Sequence, residues 1–350
     1  MATMFDPLRI GNTQLNNRIV MGPMTRSRAD EEGVQPSYAA VYYGQRASAG
    51  LIITEATNIS PMAKGYVRTP GIYTGAQIES WRRVSEAVHA RGGKIFMQLF
   101  HTGRIALPDF LPGNAQPVAP SAVRANGKNY TDDGMKDFVT PRELTREEIA
   151  QTVKDFATAA GNAIAAGFNG VELHAASGYL VQQFLTTNVN LRTDEYGGSI
   201  ENRMRFLFEV LDALTSNVGA ERVGVKFSPQ IRFNDVEEDD ADKMYPYILQ
   251  RLSERPLAYV HVTDGPHDGW HAKLRPHYKG LYFAGGSFTR ETGAELLERG
   301  GADAIVFGTK FLANPDLPER LRRGARLNEP DRSTFYTPGE RGYTDYATLE

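Results

Sequence analysis

Short apolar segments alternate with segments of helical periodicity along most of the chain. Eight of the apolar segments have the length of a buried strand, and each is followed by glycine, proline or polar residues. We interpret them as strands at Asn17–Arg26, Gly50–Ala56, Lys94–Phe100, Val171–His174, Val223–Pro229, Ala258–Thr263, Leu281–Gly286 and Ala304–Gly308.

Helix signals lie between these strands. Thr145 and Glu148 form a capping box at the start of an apolar stripe that ends at Gly167, and Ser199 is a suitable N-cap for the next helix. The predicted helices run over Ser37–Ala49, over Glu79–Arg91, from Thr145 to Gly167, from Ser199 to about Asn217, up to about Leu252, and from about Thr289 to Arg299.

This alternation predicts the fold. A helix between two strands carries the chain back across the sheet, so the strands pair in parallel. Eight such units favour a closed (β/α)8 TIM barrel over an open doubly wound sheet. We expect residues 1–350 to form one domain. A long excursion over the barrel mouth is expected at residues 101–144, after the third strand, where prolines recur and periodicity is weak.

The composition excludes several classes of protein. A formal net charge of -3 and a pI of about 6.2 leave no basic surplus for nucleic acid. The chain has no cysteine, which excludes disulfides, thiolate nucleophiles and cysteine metal sites. Without an apolar stretch of membrane-spanning length or a signal-peptide pattern, we expect a cytoplasmic protein with no membrane partner. The acidic run Glu237–Asp240 is predicted to be a solvated loop or a first helical turn.

Two side chains that handle protons lie at the end of the fourth strand. His174 closes the strand, and Tyr179 follows in a turn that contains Gly178. In a parallel barrel the carboxyl ends of the strands carry the reactive residues, so this pair is a candidate for acid–base chemistry. The alternative is a hydrogen-bonded core histidine beside a tyrosine that only packs.

Two glycine turns close the seventh and eighth strands. Gly285-Gly286-Ser287 and Gly308-Thr309-Lys310 lie where such barrels often bind phosphate through backbone N–H groups. Gln98, Thr25 and Lys226 at neighbouring strand ends add donors for a polar ring and a cation for developing negative charge. Flavin mononucleotide (FMN) fits this set of groups. The alternatives are tight turns without a ligand and, for Lys226, a barrel-interior lysine paired with a carboxylate.

Five sequence blocks together resemble the Old Yellow Enzyme family of FMN-dependent ene-reductases, and most of all its bacterial members that reduce enones and nitrate esters. The resemblance extends from Phe5 to Tyr346. Its most specific blocks are Arg18–Arg26, Gln98–Arg104, His174–Leu185, Arg192–Arg203 and Ala313–Leu317.

The resemblance implies roles for individual residues. His174 and Ser177 would bind the activating oxygen of the substrate, and Tyr179 would protonate the carbon alpha to it. Other contacts with the substrate would come from Tyr66, Phe100 and Tyr336. The implied cofactor-binding residues are Pro23, Met24, Thr25, Ala56, Gln98, Lys226, Gly285, Gly286, Gly308, Thr309 and Lys310.

Three positions depart from the pattern of the family. Ser177 stands where the family usually has asparagine or a second histidine, so the two-donor clamp on the substrate oxygen is shortened. Lys226 replaces an arginine beside the flavin ring, which keeps the charge and loses the planar fork. Thr309 replaces an arginine at the phosphate, where Lys310 is expected to reach instead.

The activity implied by the resemblance is reduction of the C=C bond of an activated alkene such as an enone, a maleimide or a nitroalkene. NADPH or NADH would reduce FMN, flavin N5 would deliver hydride, and Tyr179 would deliver the proton. Two alternatives stay open: a flavin reductase of nitrate esters, nitro compounds or quinones, and a flavin-binding protein with weak redox turnover. The expected partner is a small activated alkene or nitro compound, and the expected protein is a monomer or a homodimer.

Overall fold

The computed structural model describes residues 2–265 and 269–349. Within these residues eight parallel strands form a closed barrel, which confirms the predicted fold. The barrel strands, called first to eighth in chain order, are Ile19–Met21, Leu51–Ile53, Ile95–Phe100, Gly170–His174, Val223–Phe227, Tyr259–Thr263, Tyr282–Gly285 and Ala304–Phe307. Each strand overlaps the segment predicted for it.

The barrel closes without an exposed edge. Each strand pairs in parallel with the next one in the chain, and the eighth pairs with the first, where Val306 lies opposite Val20. A short strand, Thr57–Asn58, extends the pairing along the third strand. Closure satisfies the hydrogen-bonding groups that an edge strand would leave open, and it directs all carboxyl ends to one face.

Helices connect the strands on the outside of the barrel. In the part of the chain that the structure describes they are α1 Ser37–Gln45, α2 Gly75–His89, α3 Arg146–Ala165, α4 Leu180–Leu185, α5 Ile200–Val218, α6 Ala241–Leu252, α7 Trp270–Leu274, α8 Arg290–Glu298, α9 Thr309–Ala313 and α10 Leu317–Arg323. None of these helices is long and apolar enough to cross a membrane.

Helix ends follow local capping chemistry. The capping box of Thr145 and Glu148 is present at the start of α3, as predicted. A second capping box, formed by Thr74 and Gln77, begins α2 at Gly75, so this helix starts earlier than predicted. Helix α1 ends at Gln45 rather than at Ala49, because the chain passes into turns after it.

An N-terminal hairpin closes the amino end of the barrel. Leu8–Ile10 pairs antiparallel with Thr13–Leu15, and its leucine and isoleucine side chains pack on residues of the barrel interior. Inside that layer the rings of Tyr259 and Phe283 stack 4.2 Å apart between centroids. The barrel interior is therefore filled at the end opposite the predicted site.

The excursion at residues 101–144 contains short ordered elements. Lys128–Thr131 and Gly134–Asp137 form an antiparallel hairpin, and Val118–Ala119 pairs in parallel with Arg142–Glu143. The hairpin brings Asn129 and Tyr130 to a cavity at the barrel mouth. The predicted position over the mouth is therefore confirmed, and the excursion has more secondary structure than its sequence indicated.

The acidic run differs from its prediction at Glu238, which is 6% exposed. Its carboxyl group accepts from Gln182 Nε2 at 3.0 Å and from Gln230 N at 2.8 Å, and Tyr245 also donates to it. The neighbouring Asp240 pairs with Arg203. The run is a loop before α6, as predicted, with Glu237 and Asp239 exposed, but Glu238 is not solvated, because partners distant in sequence surround its carboxyl group.

Two buried arginines of the loop after the first strand fasten the C-terminal segment over the mouth. Arg26 donates to the carbonyl oxygens of Phe335 and Gly342, at 3.2 and 2.8 Å. Arg28 donates to carbonyl oxygens within residues 334–341. The ring of Tyr343 stacks on Tyr42 at 3.9 Å between centroids. These contacts fix the segment that carries Tyr336.

The capping box of α3 gives a test of local stability. Replacement of Thr145 by alanine removes the acceptor of the Glu148 N–H group and should lower the free energy of unfolding by about 1 kcal/mol. Thr145→Ser keeps the hydroxyl and should stay close to the wild type. Urea unfolding followed by circular dichroism measures both; an alanine variant as stable as the serine variant would show that the box contributes nothing.

Candidate active site

The strand register places the predicted polar residues at one level of the barrel. His174 at the end of the fourth strand lies opposite Lys226 on the fifth, and Lys226 lies opposite His261 on the sixth. Thr263 lies opposite Gly285 on the seventh strand. The carboxyl ends of neighbouring strands therefore bring two histidines, a lysine and a glycine turn to one face.

One cavity, called the glycine groove, has a volume of about 590 Å³. It runs over the ends of strands five to eight and the loop after the first strand. Its lining includes eight of the residues that the sequence assigned or placed beside the cofactor: Pro23, Met24, Lys226, Gly285, Gly286, Ser287, Gly308 and Thr309. Residues from five parts of the chain thus form a single groove.

Glycine is needed at the turns that line this groove. Gly286 has φ +152, in the region that L side chains rarely adopt. A Cβ atom on Gly285 would lie 2.8 Å from His261 Nε2, and one on Gly308 would lie 3.2 Å from Met24 Sδ. The backbone therefore lines the groove directly, as a close approach to a phosphate group requires.

Lys226 is a half-buried cation of the groove. In the described part of the chain its ammonium group has no ion pair within 4.0 Å and no hydrogen bond. Burial lowers the pKa of Lys226, and the nearby Glu172 carboxyl group opposes that shift. The structure does not pair Lys226 with a carboxylate, because the nearby Glu172 carboxyl group is held by two other side chains. It accepts from Gln98 Nε2 at 2.7 Å and contacts His261 Nδ1 at 3.0 Å.

Three of the remaining predicted cofactor residues lie apart from the groove lining. Gln98 is buried and holds Glu172. The ammonium group of Lys310 donates to the carbonyl oxygen of Phe288, which uses one of its three donors. Ala56 packs in a small apolar cluster that contains Phe100 and Tyr179.

A second cavity, called the tyrosine cavity, has a volume of about 560 Å³. Thr25 lines it, whereas the preceding residue, Met24, lines the glycine groove, so the two spaces adjoin at this loop. The described residues that line it are Thr25, Ser27, Tyr66, Val67, Arg68, Asn129, Tyr130, Tyr179, Phe233, Arg332, Ser333, Tyr336, Thr337 and Pro338.

Tyr179 lies at the base of the tyrosine cavity among aromatic rings. Its hydroxyl group is 3.0 Å from the hydroxyl of Tyr66, and its ring meets those of His174 and Phe100 edge to face, at 5.0 and 5.3 Å. Burial and the neighbouring Tyr66 raise the pKa of Tyr179 well above its usual value. The phenol is therefore protonated at neutral pH and can serve as a proton donor.

His174 is a neutral hydrogen-bond donor in this setting. Burial, with the charges of Lys226 and His261 adding to it, holds the pKa of His174 well below its usual range. Its Nδ1 atom accepts from the backbone N–H of Ala176 at 3.3 Å. A neutral imidazole that accepts at Nδ1 carries its proton on Nε2, so Nε2–H is the donor left for a ligand.

Ser177 has a backbone conformation that is uncommon for serine. Its φ is +57, and this left-handed geometry is held by two contacts from the loop after the fifth strand. Ser177 N donates to Ser228 Oγ at 2.9 Å, and Asn234 Nδ2 donates to the Ser177 carbonyl at 2.8 Å. In the described residues no hydrogen bond of the Ser177 hydroxyl is found, so that group has no fixed direction.

Sequence reasoning missed several residues of the site. Glu172 and His261 lie in the middle of predicted strands, where a polar side chain in an apolar run was a usable signal. Phe233, Arg68 and Arg332 lie on loops far apart in the sequence, where no periodic pattern marks them. Tyr66 and Tyr336, predicted as walls, do line the cavity.

Comparison with known proteins decides the family. Residues 3–328 match the model of the NADH:flavin oxidoreductase / NADH oxidase family. A probable flavin mononucleotide-dependent alkene reductase of Leishmania infantum is 47% identical over 352 residues, covering 98% of this chain and 96% of the relative. The chain belongs to this family, the Old Yellow Enzyme family.

Other family members are similar over their whole length. The 12-oxophytodienoate reductase 1 of Oryza sativa subsp. japonica is 44% identical, over 98% of this chain and 92% of the relative. Morphinone reductase in complex with tetrahydroNAD superposes with a TM-score of 0.96 and 47% identity, covering 100% of this chain and 98% of that one. The old yellow enzyme homologue from Zymomonas mobilis gives 0.97 and 40%, covering 99% and 100%.

FMN, the cofactor of this family, fits the residues present. The glycine groove offers backbone close to a phosphate, and Lys226 supplies a positive charge without a protein partner in the described chain. The adjoining tyrosine cavity leaves space for a second ligand beside the cofactor.

The protonation state of His174 can be measured directly. We expect its imidazole to stay neutral from pH 8 to pH 5, with the proton on Nε2, because burial lowers its pKa. Long-range ¹H–¹⁵N spectra of histidine-labelled protein report both nitrogens, and a His174→Gln variant assigns the signal. A His174 resonance that titrates with a midpoint near 6.5, the ordinary value, would contradict the neutral donor.

Proposed function

We propose that this protein is an FMN-dependent NAD(P)H ene-reductase that reduces the C=C bond of activated alkenes. The observation that carries the proposal is the pair of His174 and Tyr179: the tyrosine lines the tyrosine cavity, and the histidine ring packs against it. One is a neutral N–H donor, the other a phenol that stays protonated, and their rings lie 5.0 Å apart. The glycine groove adjoins this cavity at Met24 and Thr25.

The separate roles of His174 and Tyr179 follow from the chemistry of conjugate reduction. An alkene accepts hydride at its beta carbon only when its electron-withdrawing group is polarised, which requires a donor at that oxygen. His174 Nε2–H supplies the donor. Negative charge that reaches the alpha carbon must then be quenched by a positioned acid, and Tyr179, which stays protonated, is the phenol in contact with His174.

The remaining predicted residues would hold the cofactor. We assign the phosphate to the backbone of Gly286 and Gly308 with Thr309, and the ring to Thr25 and to Gln98. When bound, FMN supplies the hydride for the beta carbon. Lys226 would compensate negative charge beside the ring, because its ammonium group faces the groove without an ion pair in the described residues.

Reduction of a nitro compound or nitrate ester is a second candidate, and Ser177 favours it. The second donor for the substrate oxygen is a short hydroxyl group on a strained backbone. Substrates that withdraw electrons strongly depend less on that donor. Cytoplasmic location, a one-domain chain and a monomeric or homodimeric state remain predictions from the sequence.

Replacement of Tyr179 by phenylalanine tests the acid. We expect alkene reduction to slow by roughly 10² to 10⁴, the usual contribution of a positioned acid, while reduction of the flavin by NADPH is nearly unchanged. Stopped-flow absorbance follows the two half-reactions separately. Tyr66→Phe removes the neighbouring hydroxyl and is the matched control. Equal losses in both half-reactions of Tyr179→Phe would make the tyrosine structural.

Replacement of Ser177 by asparagine tests the shortened clamp. Asparagine adopts φ near +57 more readily than serine, and its amide adds a second donor. We expect kcat/KM for cyclohexenone to rise by up to roughly 10² to 10³, and that for N-phenylmaleimide to rise much less. Ser177→Ala is the control for the hydroxyl. An equal change for both substrates would refute selective polarisation.

A further inference from the structure

Glu172 is a buried carboxyl group that the proposed mechanism does not use. It lies in the middle of the fourth strand, and its side chain has no exposed surface. Among the described residues no lysine or arginine lies within 4.0 Å of its oxygens, and its ion-pair partner is His261. Burial of a carboxyl group without a lysine or arginine is costly unless hydrogen bonds satisfy both oxygens, so the partners of Glu172 need an explanation.

One oxygen of Glu172 fixes the amide of Gln98. The two residues lie opposite each other on the third and fourth strands, and Gln98 Nε2 donates to Glu172 Oε1 at 2.7 Å. The backbone of Gln98 is held as well, since its N–H group donates to Thr54 Oγ1 at 3.2 Å. A carboxylate only accepts hydrogen bonds, so the amide turns its nitrogen toward Glu172 and its carbonyl oxygen away from it. In the described residues that carbonyl oxygen accepts no hydrogen bond.

The other oxygen of Glu172 fixes the tautomer of His261. His261 Nδ1 lies 3.0 Å from Glu172 Oε2. An imidazole is much more basic than a carboxylate, so the proton between the two groups belongs to Nδ1. Burial lowers the pKa of His261 against the opposing effect of Glu172, which keeps the ring neutral at neutral pH. A neutral imidazole with its proton on Nδ1 has a lone pair on Nε2.

The Nε2 atom of His261 borders the glycine groove. His261 lines this groove together with Thr263 and Gly285. The Thr263 hydroxyl lies 3.5 Å from Nε2, a long contact that leaves the lone pair open to a stronger donor. A Cβ atom on Gly285 would lie 2.8 Å from Nε2, so the missing side chain keeps this atom uncovered.

These directions match the donors that FMN offers. The oxidised isoalloxazine ring carries a single N–H group, at N3, and the ribityl chain carries hydroxyl groups, so the protein must supply acceptors for both. The carbonyl oxygen of Gln98 and the Nε2 atom of His261 are acceptors of this kind. An amide in place of the Glu172 carboxylate would both donate and accept, and Gln98 or His261 could then turn a donor toward the cofactor.

We propose that Glu172 is a positioning residue of the cofactor site, which forces Gln98 and His261 to present hydrogen-bond acceptors to the ring N–H and to the ribityl hydroxyls of FMN. Glu172 is fully buried and acts through these two residues. The inference rests on the cofactor of the family and not on the alkene that is reduced. Its tests involve no alkene, so its failure and the failure of the proposed ene-reductase are distinguishable.

The tautomer of His261 is the first test. Long-range ¹H–¹⁵N spectra of the FMN-bound, histidine-labelled protein should show a protonated Nδ1 and an unprotonated Nε2, the opposite of the arrangement expected for His174. A His261→Asn variant assigns the signal. Because the measurement uses the wild-type protein, it decides the point even if variants at Glu172 do not fold. A proton on Nε2 of His261 would overturn the inference.

Discrimination between two flavins tests the control of Gln98. 3-Methyl-FMN lacks the ring N–H group, and its affinity relative to that of FMN cancels general damage to the protein. The holoenzyme is equilibrated with an equal mixture of both flavins, and chromatography of the bound flavin gives the ratio. We expect the wild type to favour FMN by roughly tenfold, because the methyl group leaves an acceptor unpaired. Glu172→Gln frees the amide of Gln98, so the preference should fall to roughly threefold.

Glu238→Gln is the matched control. Glu238 is also a buried carboxyl group that accepts from a glutamine, Gln182 Nε2, at 3.0 Å, and it does not line the groove. This variant should keep the wild-type preference for FMN and the wild-type tautomer of His261, although both variants should lose stability. A preference that stays at the wild-type value in Glu172→Gln, or that falls equally in both variants, would make Glu172 a structural residue and overturn the inference.

Discussion

The closed register of the parallel barrel is the constraint on which the site depends. Because every strand pairs with its neighbours in one direction, the side chains at the carboxyl ends have fixed levels relative to one another. His174, Lys226 and His261 share such a level on three adjacent strands. Below them Glu172, fully buried, is held by Gln98 and His261. The ammonium group of Lys226 therefore faces the groove and does not pair with the carboxylate inside the barrel.

The C-terminal segment that covers the mouth of the site is held by a different set of contacts. Arg26 and Arg28 follow Thr25 in the chain and bind backbone carbonyl groups of the C-terminal segment, which carries Arg332 and Tyr336 to the mouth. The loop after the first strand thus lines the glycine groove, lines the tyrosine cavity and holds the C-terminal segment. Displacement of that loop would change all three, so packing couples the expected cofactor space to the substrate space.

Much of the fold was predictable from the sequence. The barrel strands are short apolar runs with glycine or polar residues after them, and buried parallel strands produce that pattern directly. The hairpin at Leu8–Leu15 was missed because its strands have three residues each, too few for a period to show. The hairpin in the excursion had a usable turn signal at Asp133-Gly134, and the weak periodicity around it concealed the strands.

The site was predictable in its residues and less so in its geometry. His174, Tyr179 and the glycine turns come from local sequence and lie together in the structure. The left-handed backbone of Ser177 depends on Ser228 and Asn234, some fifty residues away, and no local pattern encodes it. Lys310 stays a prediction for the phosphate, and the hydrogen bond from its ammonium group to the Phe288 carbonyl oxygen is a contact that no local pattern encodes. Arg68 and Arg332 line one cavity only through tertiary structure, because they lie far apart in the sequence.

The central claim is that this chain adds a hydride from the cofactor and a proton from Tyr179 to one C=C bond. Isotope labelling during cyclohexenone reduction tests it most directly. With deuterium in the transferable position of NADPH, the account predicts label at the beta carbon of the product; with unlabelled NADPH in heavy water, it predicts label at the alpha carbon. Product with the labels exchanged, or reduction at the carbonyl carbon instead, would contradict the account.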